Sequence, residues 1–213
     1  MTNDDKSWQV RADRVMGARN EAEVRAGYDA WASQYDDDHV NFGLLLLTHF
    51  VGLFCRHVPT DAAPILDAGA GTGRLGEVLS LHGYDNFVGI DLSPGMLEVA
   101  ANKPGYCETR VQRLGDTLDY ADGAFAVVAS LGAFAPNLAR ADAFDELIRV
   151  TRPGGILVLS MRAGCEPETG FNKRRKEIEE ECRWEYVDGI DEFISHPELD
   201  PDIRYSIHVY RRC

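Results

Sequence analysis

A glycine-rich turn between a short apolar run and a helical stretch constrains the fold of this chain more than any other feature. The turn lies in residues 65–73, which read ILDAGAGTG. Glycines let the backbone approach a ligand closely, and the helix that follows offers free N–H groups and positive partial charge to a carboxylate or phosphate. Asp91 ends the next apolar run, about 20 residues beyond Gly71, where a second-strand carboxylate accepts hydrogen bonds from ribose hydroxyls. Together these features predict an adenosine-type ligand across the carboxyl ends of two adjacent strands.

From residue 64 onwards, short apolar runs alternate with helical stretches, which is typical of a parallel sheet wound with helices. The predicted strands are 64–68, 86–91, 106–114, 125–130, 156–162, 184–194 and 204–211. The predicted helices between and after them are 73–81, 94–102, 141–150 and 173–182. The last two strands are close enough in sequence to pair antiparallel. We therefore expect an α/β fold with a Rossmann-like, doubly wound seven-stranded sheet, mostly parallel with the last strand antiparallel.

The segment before the glycine turn has a different pattern of apolar and polar residues. Residues 1–60 look helical and are predicted to form an N-terminal lid or cap, whereas residues 61–213 form the core of a single structural domain. Val24, Tyr28, Trp31 and Tyr35 share one helical face. The acidic run that follows Tyr35 is unfavourable at a helix C-terminus and favourable ahead of a new helix. This pattern predicts a helix break near Tyr35 and a new helix near Asn41.

Length and composition limit the class of protein. The chain has 213 residues, of which 45% are hydrophobic and 27% charged, as in one ordinary globular domain. A net charge of −13 disfavours nucleic acids and anionic membranes as partners. The apolar run 42–55 is shorter than the roughly 20 residues that span a bilayer, which predicts a buried or lid helix. The first fifteen residues do not resemble a signal peptide, and the five cysteines contain no C-x-x-C pair, so we expect a cytoplasmic protein with reduced thiols.

The spacing of the glycines separates two classes of cofactor. The turn reads G-x-G-x-G, whereas dinucleotide sites carry G-x-G-x-x-G, and a whole helical segment precedes the strand. Both departures disfavour a nicotinamide cofactor. The turn Arg152-Pro153-Gly154-Gly155 disfavours it as well. The glycine turn taken alone is equally compatible with a ligand-binding turn and with a tight corner that binds no ligand. The strand before it, the helix after it and Asp91 make the second interpretation much weaker.

Four segments in this order resemble the class I S-adenosylmethionine-dependent methyltransferases. They are ILDAGAGTG (65–73), GIDLSPGMLEVA (89–100), DGAFAVVAS (122–130) and RVTRPGGILVLSMR (149–162). YDAWASQYDDD (28–38) is similar to the aromatic N-terminal segment of many small-molecule members. SPGMLE, RVTRPGG and the stretch 171–185 are also similar to the methyltransferase-like protein family of the Williams-Beuren syndrome region. The resemblance covers residues 24–187 and implies S-adenosylmethionine as cofactor, with S-adenosylhomocysteine as product.

The resemblance also implies the residues of the cofactor site. Its cofactor-binding residues are expected to be Asp67, Gly69, Ala70, Gly71, Asp91, Leu92, Met96, Gly115, Asp116 and Ser130. In this set Asp67 braces the loop and the ammonium side of the cofactor, Asp91 holds the ribose, and Met96 packs with Leu92 on the adenine. Many relatives have an Asp-Ala pair after the third strand, but here the pair falls on Leu114-Gly115. The adenine contact therefore comes from backbone or from Asp116.

Methyl transfer from a sulfonium is an in-line displacement, so alignment and exclusion of water are expected to dominate. The candidate catalytic residues are Tyr35 and His39, and the candidate substrate-binding residues are Trp31, Tyr35, Phe134 and Arg162. Each has a plainer alternative: a core aromatic stripe for Trp31, a solvated histidine for His39, and a structural salt bridge for Arg162. The hard ligands in 36–39 form one short run without a second cluster, so no metal site is predicted.

The sequence leaves several functions open. The leading hypothesis is methyl transfer to a small-molecule acceptor, with no nucleic-acid or membrane partner. The alternatives are a protein or RNA methyltransferase, or a non-catalytic module that binds S-adenosylmethionine or S-adenosylhomocysteine. A nicotinamide oxidoreductase is the weakest hypothesis. Both a monomer and a homodimer are compatible with the sequence.

Overall fold

The apolar runs form one seven-stranded sheet in the computed structural model, which describes residues 7–40, 44–196 and 200–213. The strands are β1 (Ile65–Ala68), β2 (Phe87–Asp91), β3 (Tyr106–Val111), β4 (Phe125–Phe134), β5 (Thr151–Arg162), β6 (Trp184–His196) and β7 (Asp200–Arg212). Their order in the sheet is β3-β2-β1-β4-β5-β7-β6. Strands β1 to β5 pair in parallel, and β7 is antiparallel to both of its neighbours. The predicted Rossmann-like α/β sheet with an antiparallel last strand is confirmed.

Helices precede the sheet and connect its strands. They are α1 (Ser7–Met16), α2 (Glu21–Val40), α3 (Leu44–His57), α4 (Arg74–Ser80), α5 (Pro94–Ala100), α6 (Ala143–Val150), α7 (Glu166–Thr169) and α8 (Phe171–Glu180). The start of α5 follows from its sequence, because Ser93 accepts a hydrogen bond from the Met96 N–H and Pro94 occupies a position where no N–H is needed. In the described part of the chain, no helix is long and apolar enough to cross a membrane.

Alternating side chains of the central strands supply two hydrophobic layers. On β5, Leu157 and Leu159 face the layer covered by α6 and α8, whereas Ile156 and Val158 face the layer covered by α3 and α4. Phe50 of α3 lies in the second layer and is fully buried. The apolar run before the glycine turn therefore forms a buried helix that packs on the sheet.

The predicted helix break near Tyr35 is wrong, because α2 continues to Val40. The acidic residues after Tyr35 are satisfied by tertiary partners. Asp36 accepts a hydrogen bond from the Thr72 hydroxyl at 2.6 Å. Asp38 accepts one from the Trp31 indole at 2.7 Å and pairs with Arg11 at 2.6 Å. The predicted helix start near Asn41 lies outside the described residues.

Several strand boundaries also differ from the prediction, and those of β3 and β5 differ at residues that line a cavity or form a predicted turn. Strand β3 ends at Val111, so residues 112–114 are free to leave the sheet. Strand β5 begins at Thr151 and includes the predicted turn. The register moves from Phe125 opposite Thr151 to Val127 opposite Ile156, so the extra residues form an irregularity within the strand. Gly154 takes up the positive φ of 74° that this irregularity requires.

Candidate cofactor and acceptor site

A cavity of about 400 Å³ lies at the carboxyl ends of β1, β2 and β4, under helix α2. This is the edge where the strand order reverses between β1 and β4, and ligands of open α/β sheets bind in such a crevice. The lining residues from the sheet side include Gly69, Gly71, Asp91, Leu92, Met96, Gln112, Arg113, Leu114, Leu131, Gly132 and Ala133. The described part of α2 and the segment before it contribute Ala18, Arg19, Asn20, Glu21, Val24, Tyr28 and Tyr35.

The glycine turn forms the floor of the cavity. The N–H groups of Gly69 and Ala70 both donate to the Ile90 carbonyl, at 2.8 and 2.9 Å, which holds the turn against β2. Gly69 has a φ of 82°, and a Cβ there would lie 2.5 Å from the Ala133 side chain, so no other residue fits. A Cβ at Gly71 would meet nothing within 4 Å. The backbone of Gly71 therefore faces open space where a ligand can approach closely.

Asp91 is fixed at the edge of the cavity by the backbone. Its Oδ2 accepts a hydrogen bond from the Gly71 N–H and its Oδ1 accepts one from the Ser93 N–H, both at 2.9 Å. Burial raises the pKa of Asp91, and the hydrogen bonds from Ser93, Gly71 and Leu92 oppose that increase. A carboxylate held in this way keeps further lone pairs for hydroxyl donors in the cavity.

Three residues predicted for the cofactor site lie behind the cavity wall. Asp67 is 1% exposed and accepts a hydrogen bond from the Tyr106 hydroxyl. Ser130 is fully buried and donates to the Ala68 carbonyl at 2.7 Å, which ties β4 to β1. Ala70 is also buried. These residues support the turn, and their side chains do not line the cavity.

The side of the cavity beyond β2 is built from residues that follow β2 and β3. Leu92 and Met96, which are predicted to pack against an adenine, line this side together with Gln112, Arg113 and Leu114. Asp116 is not part of this wall; its side chain is 63% exposed and pairs with Arg113 at 2.9 Å. Gly115 does not line the cavity either. The early end of β3 explains the difference: the residues that directly follow the strand reach the cavity, and the next two lie past it.

Helix α2 closes the opposite side with aromatic rings. Tyr28 and Tyr35 line the cavity, with ring centroids 6.3 Å apart. Burial raises the pKa of both phenols, and the nearby carboxylate of Asp91 raises it further. Both phenols are therefore neutral at physiological pH, and they can donate hydrogen bonds or present π-faces to a cation.

Trp31 and His39 do not reach the cavity. Trp31 is 4% exposed and seats α2 through the hydrogen bond of its indole to Asp38. The imidazole of His39 stacks on Tyr35 with centroids 3.9 Å apart, and its Nδ1 donates to the Tyr35 carbonyl at 3.0 Å. In the structure Trp31 is a packing residue, and His39 supports the ring of Tyr35 from behind.

Phe134 and Arg162, two predicted substrate contacts, also lie elsewhere. Phe134 is fully buried and packs on Phe144, with centroids 4.8 Å apart, because β4 continues past the cavity edge and turns this ring into the core. Arg162 lines a separate small cleft at the end of β5 and lies next to Tyr205 on β7. Burial raises the pKa of Tyr205, and the Arg162 guanidinium opposes the increase.

Two carboxylates anchor α2 to the loops that carry the site. Asp29 accepts hydrogen bonds from the Ser93 hydroxyl at 2.5 Å and from the Gly95 N–H at 2.9 Å, next to Asp91. Asp36 accepts one from Thr72 in the glycine turn and pairs with Lys103. We call Asp29 and Asp36 the anchor carboxylates. They connect the helix over the cavity directly to both ligand loops.

Several lining residues were not predicted as site residues. Gln112 and Arg113 directly follow a strand end, so the rule that strand ends face the ligand points to them once the end of β3 is known. Arg140 lies in the segment before α6, and Glu168 lies in the short helix α7; neither carries a periodic signal. Within the residues that the structure describes, no group of three or more His, Cys, Asp or Glu side chains is arranged to hold a metal ion.

The fold and the cavity define a class of protein: an α/β protein with a nucleoside-type site at the sheet's switch point. A family model described as "Methyltransferase domain" matches residues 65–155. The chain is 34% identical over 159 residues to human Methyltransferase-like protein 27, covering 72% of this chain and 64% of the relative. It is 29% identical over 154 residues to the demethylmenaquinone methyltransferase of Tropheryma whipplei strain Twist, covering 70% of this chain and 63% of the relative.

A solved structure gives the same answer for the fold. The TehB-like S-adenosylmethionine-dependent methyltransferase from Corynebacterium glutamicum superposes with a TM-score of 0.63 at 23% identity, covering 88% of this chain and 99% of that one. The chain belongs to the class I S-adenosylmethionine-dependent methyltransferases, and the resemblance seen in the sequence is confirmed. The chain spans less than two thirds of the length of the curated relatives described here.

S-adenosylmethionine, the cofactor of this family, fits the residues present. The open backbone at Gly71 and Gly132, where an added Cβ would meet nothing within 4 Å, gives its methionine part room. The fixed carboxylate of Asp91 suits ribose hydroxyls, and the apolar side chains of Leu92 and Met96 suit an adenine ring. The cavity also has the size of a small-molecule site.

Proposed function

We propose that this protein transfers a methyl group from S-adenosylmethionine to a small-molecule acceptor. The observation that carries the proposal is the position of Asp91. Its two carboxylate oxygens are held by the N–H groups of Gly71 and Ser93 at the edge of a cavity of about 400 Å³. A carboxylate that two ligand loops hold in place is preorganised for ribose hydroxyls, and the rest of the cavity is left for a methionine chain and a small acceptor.

Each part of the site has a role in this proposal. S-adenosylmethionine supplies the electrophilic methyl group when it is bound. Asp91 binds the ribose, Leu92 and Met96 pack against the adenine, and the turn of Gly69 and Gly71 holds the methionine part. Asp67, Ala70 and Ser130 keep this turn in place from behind. For the remaining adenine contact, Leu114 and Gln112 line the cavity and replace Gly115 and Asp116 in our proposal.

Tyr35 and Tyr28 act by position, because their raised pKa keeps both phenols protonated. Tyr35 presents its ring or hydroxyl to the reacting groups, and His39 stacks behind it. Neither phenol is a base at neutral pH. An acceptor that needs deprotonation would lose its proton to water or to a group of its own.

The N-terminal segment is proposed as a lid over this site. The anchor carboxylates Asp29 and Asp36 bind the loops that follow β2 and β1, and Tyr28 and Tyr35 of the same helix face the cavity. Opening of α2 would therefore expose the cofactor and loosen its loops at the same time. Of residues 1–60, α2 carries the lid function in this proposal, while α3 packs into the core.

The size and lining of the cavity support a small acceptor. One relative is named as a demethylmenaquinone methyltransferase, and this name supports an aromatic, apolar compound as the acceptor. The net charge of −13 argues against an RNA acceptor. A cytoplasmic location, and a monomer or homodimer, stay part of the proposal as the sequence suggested them.

The first test is calorimetric titration with S-adenosylmethionine, S-adenosylhomocysteine and NADH. We expect the first two to bind the wild type and NADH not to bind. Asp91→Ala should weaken binding of both by at least about 100-fold, since a charge-assisted pair of hydrogen bonds and the loop geometry are lost together. Asp119→Ala is the matched control, because its carboxylate is 93% exposed and lies away from the cavity. Binding of NADH alone would overturn the proposal.

A non-catalytic module that only senses the cofactor is the second candidate. It is favoured by the lining of the described cavity, where Tyr28 and Tyr35 are neutral and Asp91 is held by backbone. Turnover distinguishes the two functions. Incubation with methyl-labelled S-adenosylmethionine and mixtures of phenols, quinols, amines and thiols should yield a labelled product and S-adenosylhomocysteine if the protein is a methyltransferase.

A further inference from the structure

Tyr106 fills a cradle made of three glycines directly beneath the cofactor turn. Tyr106 is the first residue of β3 and does not line the cavity. A Cβ at Gly73 would lie 2.8 Å from its ring, one at Gly76 would lie 2.5 Å from it, and one at Gly89 would lie 3.1 Å from it. These glycines belong to the turn, to α4 and to β2. A single ring therefore packs against three of the elements that shape the cofactor site.

The hydroxyl of Tyr106 completes this arrangement. It donates a hydrogen bond to Oδ2 of Asp67 at 2.5 Å and accepts one from the Gly76 N–H at 3.2 Å. Asp67 is the third residue of β1, two positions before Gly69 of the turn, and is 1% exposed. Among the described residues, Tyr106 is the side chain that donates to this carboxyl group. Removing the hydroxyl would leave a buried carboxyl group without that partner.

We propose that Tyr106 is a positioning residue that holds the Asp67 carboxyl group beneath the glycine turn and thereby couples cofactor affinity to the protonation of Asp67. The inference rests on the proposed function, since it concerns binding of S-adenosylmethionine. Tyr106 acts through Asp67 and through the glycine cradle. It does not touch the cofactor itself.

The surroundings of Asp67 give the sign of this coupling. The pKa of Asp67 is raised to about 7. Burial is the largest cause, the hydrogen bond from Tyr106 opposes the increase, and the carboxylate of Asp91 on β2 adds to it. From α4, Glu77 faces Tyr106 and is paired with Lys103. The cofactor carries positive charge, so it binds the ionised form of Asp67 more tightly. Affinity should therefore rise with pH through the pKa of Asp67, and loss of the Tyr106 hydroxyl should move that rise to higher pH.

Tyr106→Phe keeps the ring in its cradle and removes only the hydroxyl. Calorimetric affinities for S-adenosylmethionine and S-adenosylhomocysteine would be measured between pH 6 and 9 for the wild type, Tyr106→Phe, Asp67→Asn and Tyr84→Phe. Tyr84→Phe is the matched control: it also removes a buried hydroxyl, one that donates to the Val58 carbonyl away from the turn. The amino group of the ligand titrates in part of this range, but it does so equally for all four proteins.

We expect Tyr106→Phe to bind about fivefold more weakly than the wild type at pH 7, because an upward change of about one unit in the pKa of Asp67, from about 7, lowers its ionised fraction by that factor. The difference should nearly vanish at pH 9, where Asp67 is ionised in both proteins, and Asp67→Asn should lose the pH-dependent step that separates the two. Tyr84→Phe should follow the wild-type affinity at every pH, even if it unfolds more easily.

Two results would overturn the inference while leaving the proposed function intact. One is a Tyr106→Phe curve that coincides with that of the wild type. The other is uniform weakening at all pH values, which would mean that the hydroxyl acts only on stability. A wild type that binds neither ligand would instead overturn the proposed function, and this inference with it.

Discussion

At the scale of single residues, the direction of a side chain decides its role. Asp91 and Phe134 both come from strand ends that face the same edge of the sheet. The carboxylate of Asp91 reaches the cavity and is held by two N–H groups. Phe134 lies on a β4 that extends past the cavity edge, and its ring joins those of Phe144 and Phe171 in the core. Strand ends at this edge of the sheet thus give a cavity-lining residue in β2 and a core residue in β4.

The core position of Phe134 leads to a prediction about stability. Phe134→Ala should lower the free energy of unfolding by about 3 to 5 kcal/mol, because it removes a fully buried ring and leaves a cavity. Denaturant unfolding followed by tryptophan fluorescence measures the change. Leu81→Ala is the control, since Leu81 is 82% exposed and its loss should cost less than about 0.5 kcal/mol. A Phe134→Ala protein of wild-type stability with altered acceptor KM would contradict the core assignment.

At the scale of elements, helix α2 is the part of the chain that connects packing to function. Its acidic run would oppose a helix C-terminus if it faced water alone, yet the helix continues to Val40. Asp36 and Asp38 find donors on the turn after β1, on α1 and on Trp31 of α2 itself. Tertiary partners outweigh the local preference because each of these partly buried charged hydrogen bonds contributes more than helix dipole effects at an exposed end.

The proposed lid role of α2 predicts a specific effect of Asp36→Asn. This change keeps an oxygen for Thr72 but removes the charge that pairs with Lys103. We expect the free energy that favours the closed position of α2 to fall by about 1 to 2 kcal/mol. Limited proteolysis within α2 should therefore be about five- to thirtyfold faster. Saturating S-adenosylmethionine should slow the cleavage again. Asp37→Asn is the control, because Asp37 is exposed on the same helix, and equal cleavage of the two variants would argue against an anchored lid.

At the scale of the whole molecule, the sheet joins a half that carries the cavity and a half that packs away from it. Strands β1 to β4 carry the cavity, whereas β5, β7 and β6 form an edge covered by α8. That edge contains a buried histidine, His208 on β7. Its Nε2 accepts a hydrogen bond from Arg175 of α8 at 2.5 Å. Burial, together with the positive charge of Arg175, lowers the pKa of His208 to about 3.

This lowered pKa predicts how stability changes with acidity. The unfolded chain binds a proton at His208 near pH 6.5, whereas the folded chain does so only near pH 3. The contribution of His208 to stability is therefore complete above about pH 6.5 and decreases as pH falls towards 3, by up to about 1.4 kcal/mol per pH unit.

His208→Gln tests this relation, because glutamine can still accept a hydrogen bond from Arg175 but does not titrate. Between pH 6.5 and 4, the free energy of unfolding should depend less steeply on pH in the variant than in the wild type. Chemical unfolding at half-unit pH steps measures both slopes. Equal slopes would contradict the lowered pKa, because they would show that His208 takes up its proton at the same pH in the folded and unfolded chains.

The strands, their parallel order and the glycine turn were predictable because they depend on local patterns: apolar runs of strand length, helix signals at Ser93 and Pro94, and glycines where the backbone must turn sharply. The place of Asp91 at the edge of the cavity was predictable because a fixed spacing relates it to the turn. The sequence did not predict the placement of residues that depends on where an element ends or on which residue lies across from it. Gln112 lines the cavity only because β3 ends at Val111.

The sequence by itself determined that this chain forms a mostly parallel α/β sheet with a glycine turn after β1 and a carboxylate at the end of β2, since strand periodicity and glycine conformations are local properties. The tertiary structure alone decided that α2 continues through its acidic run, that Phe134 is a core residue, and that Tyr106 lies beneath the turn. These outcomes depend on contacts between residues far apart in the chain, such as Tyr106 with Asp67 and Asp36 with Lys103. No local pattern contains them, because packing sets the partner of a buried charge or ring.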